Sequence, residues 1–233
     1  MNQPRLLGHR GSPKQHVENT LESFAAALNA ELDGFELDVQ RTLDGVLVVH
    51  HDFHLADGRL IAALKTTELP AHVPTLEAVL LMAKERGAYV NVEIKLETSV
   101  TDNRERETAA LIARLGMVED VIVSSFNPLS LARVKWADRR LETGLLYAPD
   151  MTQWYLKDGI SASFLWVSAI HPNHSQVTAD LVKNAHARGW KVNTWTVNDL
   201  ATAQRLLELG VDGLIGDYPE ILLEARRNLE QAV

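Results

Sequence analysis

Short runs of β-formers alternate with amphipathic stretches along the whole chain, and no other feature constrains the fold as tightly. Strands are predicted at Arg5–Gly8, Gly34–Val39, Tyr89–Ile94, Val121–Ser125, Glu142–Tyr147, Phe164–Ala169, Lys191–Thr196 and Gly213–Ile215. Helical spacing fills the intervals at Thr20–Ala30, Leu76–Arg86, Glu105–Leu115, Leu129–Arg139, Thr178–Arg188, Leu200–Leu209 and Glu220–Glu230. Asp150–Ser161 carries a short helix at most. Gly87, Gly116, Gly189 and Gly210 each follow a helical run, where a left-handed residue closes the last turn. Asn19 and Thr75 stand where N-caps belong. Strict alternation of eight strands with about eight helices predicts a closed (β/α)₈ barrel, the TIM barrel of the α/β class. An open doubly wound sheet is the alternative, but Gly8-His9-Arg10-Gly11 is too short for the glycine-rich turn such sheets use for nucleotides.

Two segments interrupt the alternation. Asp44-Gly45 lies between β-forming runs and signals a two-residue hairpin. The run Val46–His51 should therefore return as an antiparallel arm on the second strand. Phe53–Val73 lacks a helical pattern and reads as a short insertion at the barrel mouth. No Ser/Gly linker or shift in composition divides the 233 residues, so one domain spanning 1–233 is expected.

Composition then removes whole classes of function. Apolar residues make up 46% and charged residues 23%, which excludes a disordered chain. The absence of cysteine excludes thiol nucleophiles, thiolate metal sites and disulfide frameworks. A net charge of −8 argues against a general nucleic-acid partner. No apolar run reaches the roughly 18 residues of a membrane span, so integral membrane association is not expected. Met1–Arg5 leads into no long apolar core, so a cytoplasmic protein without a signal peptide is expected.

In a barrel of this kind the active site forms at the C-terminal ends of the strands. The first strand delivers His9 and Arg10 there. Glu36 and Asp38, two apart, share one face of the second strand, as do Glu93 and Lys95 on the third. Trp195 and Asp217 close the last two strands. Counting outward from the Asp44-Gly45 turn sets Asp38 opposite His51. Three carboxylates forced together raise one another's pKa, and a divalent cation removes that conflict. Oxygen-only ligands favour Mg²⁺, Ca²⁺ or Mn²⁺ over zinc. Arg10 and Lys95 beside such a cation make an anion clamp suited to phosphate. Two histidines can divide general-acid and general-base duties near neutral pH.

Taken singly, each signal also has a structural reading. A lone histidine at a strand end is more often a hydrogen-bonded scaffold residue, and that reading covers His16, His54, His72, His174 and His186. Glu93-Ile94-Lys95 reads equally well as an internal ion pair. The joint arrival of these residues at strand ends favours phosphoester cleavage.

At these residues the chain resembles the glycerophosphodiester phosphodiesterase family. His9-Arg10-Gly11, Glu18-Asn19-Thr20, Glu36-Leu37-Asp38-Val39, Thr42-Leu43-Asp44-Gly45, His51-Asp52, Pro74-Thr75-Leu76-Glu77, Asn91-Val92-Glu93-Ile94-Lys95, Ser124-Ser125-Phe126, Trp195-Thr196-Val197-Asn198 and Asp217-Tyr218-Pro219 appear in order across nearly the full length. The resemblance implies a TIM barrel that hydrolyses glycerophosphodiesters to sn-glycerol 3-phosphate and an alcohol. It implies His9 and His51 as the acid–base pair, and Glu36, Asp38 and Glu93 as ligands of Mg²⁺ or Ca²⁺. Arg10 and Lys95 become phosphate contacts, Trp195 an apolar wall beside glycerol, and Glu18 a carboxylate supporting the first histidine and the metal shell. Two positions depart from the family pattern. Arg59 comes late after His51-Asp52, and Gly216 replaces a customary Thr before Asp217. A lipid-directed phospholipase and a non-catalytic phosphometabolite sensor are the competing readings.

Overall fold

The structure is a computed structural model and describes residues 3–95, 101–150, 162–163 and 165–231. Strands β1 (Arg5–Gly8), β2 (Gly34–Arg41), β3 (Leu47–Val49), β4 (Tyr89–Ile94), β5 (Val121–Ser125), β6 (Glu142–Tyr147), β7 (Ala169–Pro172), β8 (Lys191–Thr194) and β9 (Gly213–Gly216) form one sheet. Helices α1 (Leu21–Asn29), α2 (Leu76–Glu85), α3 (Arg104–Leu115), α4 (Pro128–Ala137), α5 (Ala179–Ala187), α6 (Leu200–Glu208) and α7 (Pro219–Gln231) follow their predicted stretches closely.

The sheet order is β1-β9-β8-β7-β6-β5-β4-β2, and a parallel β1–β2 pairing shuts the ring. Eight parallel strands therefore close a barrel, and the open-sheet alternative falls. β3 pairs antiparallel with β2 alone and stays outside the ring, as expected of a hairpin arm.

Inward and outward residues alternate along each strand. Phe35, Leu37 and Val39 of β2 and Val90, Val92 and Ile94 of β4 pack outward against Leu76, Leu80 and Ile112 of the covering helices. Phe24 of α1 stacks on Phe35 with ring centroids 4.3 Å apart. A second outer core joins β6–β9 to the later helices through Leu145, Tyr147, Val192, Leu206 and Leu222. Inside the ring, Leu7, Tyr89, Ile122, Ala169 and Ile215 form an apolar layer. The N-terminal end is plugged by strand-leading residues: Arg5 lies 3.7 Å from the Tyr89 ring centroid, and Lys191 pairs with Glu142 at 2.7 Å. Glu36, Asp38, Glu93 and Lys95 lie further along β2 and β4 or just past them, toward the opposite end.

Four expectations need correction or completion. The strand predicted at Phe164–Ala169 begins only at Ala169. Leu165 packs on the outer core while Trp166 is 77% exposed, so the most apolar part of this stretch is the approach to the strand. The hairpin closes through a three-residue loop. Gly45 N–H donates to the Thr42 carbonyl and Gly45 takes φ +82°, the left-handed position of a one-residue bulge. Val39 therefore faces Val49, and His50, not His51, stands opposite Asp38. Asn19 is no N-cap: Thr20 caps α1 by accepting from Ser23 N–H, and Thr75 caps α2 as expected. The helix suggested over Asp150–Ser161 falls, past Asp150, outside the described residues.

The insertion after β3 carries two short 3₁₀ turns at Ile61–Ala63 and Thr66–Glu68. Its Leu55, Ile61 and Leu64 make a satellite core with Val48, while Leu47 and Val49 of the same strand face the main core. The hairpin arm is thus held from both sides, which positions the residues that follow it.

Candidate active site

β1 ends in a tight turn. His9 N–H donates to the Gly216 carbonyl, tying the turn to β9. His9 Nδ1 then donates to Asp217 Oδ1 at 2.8 Å, leaving Nε2 3.9 Å from Glu36 Oε2. Arg10 occupies the left-handed region at φ +54°, a conformation that costs a non-glycine residue about 1 kcal/mol or more. That turn aims the Arg10 N–H at Glu36 Oε2, 3.0 Å away, and its guanidinium toward Asp38, with Nε to Oδ2 at 3.4 Å.

Ligand atoms of Glu36, Asp38 and Glu93 lie within 4.8 Å of one another, on the inward faces of β2 and β4. Glu36 and Asp38 are buried, and Glu36 Oε1 has no hydrogen-bond partner among the described residues. Burial, Asp38 and Glu93 push Glu36 well above the usual carboxylate range, only partly offset by Arg10. Burial also raises Glu93, against the pull of Lys95. A cluster that disfavours its own charge, with a free buried oxygen, fits a hard divalent cation.

Lys95 sits 3.2 Å from Glu93, 3.8 Å from Asp38 and 3.3 Å from His51 Nε2. Burial opposes its charge, but Glu93 and Asp38 outweigh that and raise its pKa. His51 reaches the mouth although the hairpin register differs from the expected one. Its Nδ1 donates to Asp52 Oδ1 at 2.7 Å. Burial lowers the His51 pKa, Asp38 opposes this, and Lys95 and Arg10 add to it. His50 turns instead to the Asp52 carbonyl.

The structure therefore gathers His9, Arg10, Glu36, Asp38, His51, Glu93 and Lys95. Glu18 is placed differently: it is bound by Arg10 Nη1 at 2.9 and 3.0 Å, and the carboxylate on His9 is Asp217. Burial works against Asp217's charge, but hydrogen bonds from His9 and Asn198, with Lys14 nearby, hold its pKa at about 2. Trp195 donates its indole N–H to the His171 carbonyl and meets Phe126 edge-on at 5.6 Å, giving the mouth an apolar side. Arg59 lies in the insertion on Asp57 and the Glu68 carbonyl. Gly216 is required by space: a Cβ there would lie 2.2 Å from the Val197 carbonyl oxygen.

Two asparagines escaped notice as site residues. Asn19 Nδ2 donates to Asp38 Oδ2 at 2.9 Å while its Oδ1 accepts from Asp38 N–H. Asn198 holds Asp217 in the same reciprocal way. Each amide fixes one carboxylate rotamer. The only signal in the sequence was their presence in the short motifs, which said nothing of their partners.

The closed barrel and the family model that it matches place the molecule in the class of barrel hydrolases. The chain belongs to the glycerophosphoryl diester phosphodiesterase family, whose model matches residues 9–221. It is 33% identical to a glycerophosphodiester phosphodiesterase of Caldanaerobacter subterraneus subsp. tengcongensis, over 95% of this chain and 97% of the relative. An Oleispira antarctica phosphodiesterase, solved with the product sn-glycerol-3-phosphate, superposes with a TM-score of 0.80 at 26% identity, covering 96% of each chain. A glycerophosphodiester phosphodiesterase from Parabacteroides distasonis shares the fold with a TM-score of 0.82 at 24% identity, covering 99% of each chain. No helix among the described residues is long and apolar enough to cross a membrane.

Proposed function

We propose that residues 1–233 act as one catalytic domain that hydrolyses glycerophosphodiesters to sn-glycerol 3-phosphate and an alcohol. In this reading His9 and His51 are the acid–base pair. Glu36, Asp38 and Glu93 hold one divalent cation, Mg²⁺ or Ca²⁺. One observation carries the reading: each imidazole is held at Nδ1 by an aspartate, His9 by Asp217 and His51 by Asp52. That leaves Nε2 of both rings beside the acidic cluster and its cations, as a proton-transfer pair requires.

A cation on the three carboxylates would supply Lewis-acid neutralisation of the phosphoryl oxygens. Arg10 and Lys95 hold the remaining phosphate charge with directed N–H donors. Trp195 and Phe126 offer an apolar wall to the glycerol carbons. One imidazole takes the proton of the attacking hydroxyl as its oxygen bonds to phosphorus. The other gives a proton to the departing alcohol oxygen as the second P–O bond breaks. The attacking oxygen is the glycerol 2-hydroxyl, through a cyclic phosphate that water then opens, or water itself.

The test is product analysis on a panel of soluble glycerophosphodiesters, with EDTA and with Mg²⁺ or Ca²⁺ restored, for the parent chain and for His9→Ala and His51→Ala. Turnover of each variant should fall by at least about 100-fold, in line with general acid–base contributions. Variants that remain folded and work within a few-fold of the parent would refute the assignment.

A further inference from the structure

We infer that Gln40 and Arg104 form a buried clamp that sets the placement of His51 and Lys95, so that both are positioning residues for the reaction proposed above, on which this inference rests. Gln40 lies near the end of β2 and Arg104 opens α3; they are 2% and 4% exposed. Arg104 Nη1 donates to Gln40 Oε1 at 3.1 Å and also to the Lys95 carbonyl oxygen. Gln40 Nε2 donates to the His51 carbonyl oxygen at 3.3 Å. A guanidinium only donates and a carbonyl only accepts, so the amide has a single orientation that satisfies both partners.

The guanidinium itself cannot swivel. Asp102 takes Nε at 2.9 Å and Nη2 at 2.7 Å in a planar fork. On the neighbouring residue, Arg41 grips Glu107 of α3 with two hydrogen bonds of 2.8 and 3.0 Å, pinning the helix start to the root of the hairpin. One buried cation therefore ties together the ends of β2 and β4 and the residues just past β3. The two carbonyls it reaches, one directly and one through Gln40, belong to residues whose side chains meet at 3.3 Å across the mouth. His51 has left the β2–β3 ladder, so cross-strand pairing does not hold it. The clamp supplies the missing constraint, and displacing a reacting group by about 1 Å can cost on the order of 100-fold in rate.

Gln40→Glu and Arg104→Met test the clamp, with Arg104→Lys as the conservative variant. A carboxylate at position 40 still accepts from Arg104 but has no N–H for the His51 carbonyl. Gln40→Glu should melt near the parent temperature, with kcat about tenfold or more lower and KM nearly unchanged. Arg104→Met frees both anchors, so kcat should fall and KM rise together, and Arg104→Lys should recover part of both. If Arg104→Met does not fold, Gln40→Glu decides. Parent-like kcat and KM in folded Gln40→Glu, while His51→Ala abolishes turnover, would overturn the clamp and leave the proposed function standing. Retained turnover in His51→Ala would overturn both.

Discussion

His171 makes acid stability a sensitive probe of the barrel interior. Its ring is fully buried and fills the space above Gly144, where a Cβ would lie 2.4 Å from Nε2. Asn193 Nδ2 donates to that Nε2 at 2.9 Å, so the ring is neutral with its proton on Nδ1. Burial holds its pKa at about 3, against about 6.5 for an exposed imidazole. Between those two values the unfolded chain binds a proton that the native chain does not. Stability therefore falls as pH falls below about 6.5, by up to about 1.4 kcal/mol per pH unit. From about pH 7.5 to about pH 5 the loss should be about 2 kcal/mol. Urea unfolding of the parent and of His171→Gln across that range isolates the effect, because the carboxylates titrate alike in both. The parent-minus-variant stability should drop by about 2 kcal/mol toward acid. A difference constant to within about 0.5 kcal/mol would mean that the native ring is not buried in the neutral form, and the reasoning would fail.

The acidic cluster should bind Mg²⁺ or Ca²⁺ and stabilise the native state by about 2.7 kcal/mol at a hundredfold excess over Kd, raising Tm by roughly 5–10 °C in a chain of this size. Glu36→Gln should lose that rise and, in EDTA, be no less stable than the parent, since a buried repelling charge is gone. Scanning calorimetry checks both, and an undiminished rise in the variant would contradict the ligand set. Asn19→Gly keeps the left-handed backbone at φ +58° easy and removes only the amide that holds Asp38. Titration calorimetry should show metal affinity falling about tenfold or more while stability shifts by about 1 kcal/mol or less. Equal affinity would reduce Asn19 to a turn residue.

The sequence by itself determined the barrel and the cast of its mouth. Strand–helix alternation is a local pattern, and the parity of Glu36, Asp38, Glu93 and Lys95 sends them inward wherever the strands begin. β7 was misplaced because Leu165-Trp166-Val167 carries the apolar signal, whereas the strand itself holds His171 and Pro172, which read as a loop. Contacts between distant segments were beyond that reading. The hairpin register turned on whether two or three residues form the loop, and a one-residue slip exchanges His50 for His51 opposite Asp38. Asp217 meets His9 across 208 positions of sequence, and Arg104 reaches Gln40 across 64. Residue spacing governs which face a side chain takes. Only closure of the ring sets Asp217 on His9, because those residues follow β9 and β1, strands that become neighbours in the tertiary fold alone, whereas Asp52 meets His51 as its neighbour in sequence.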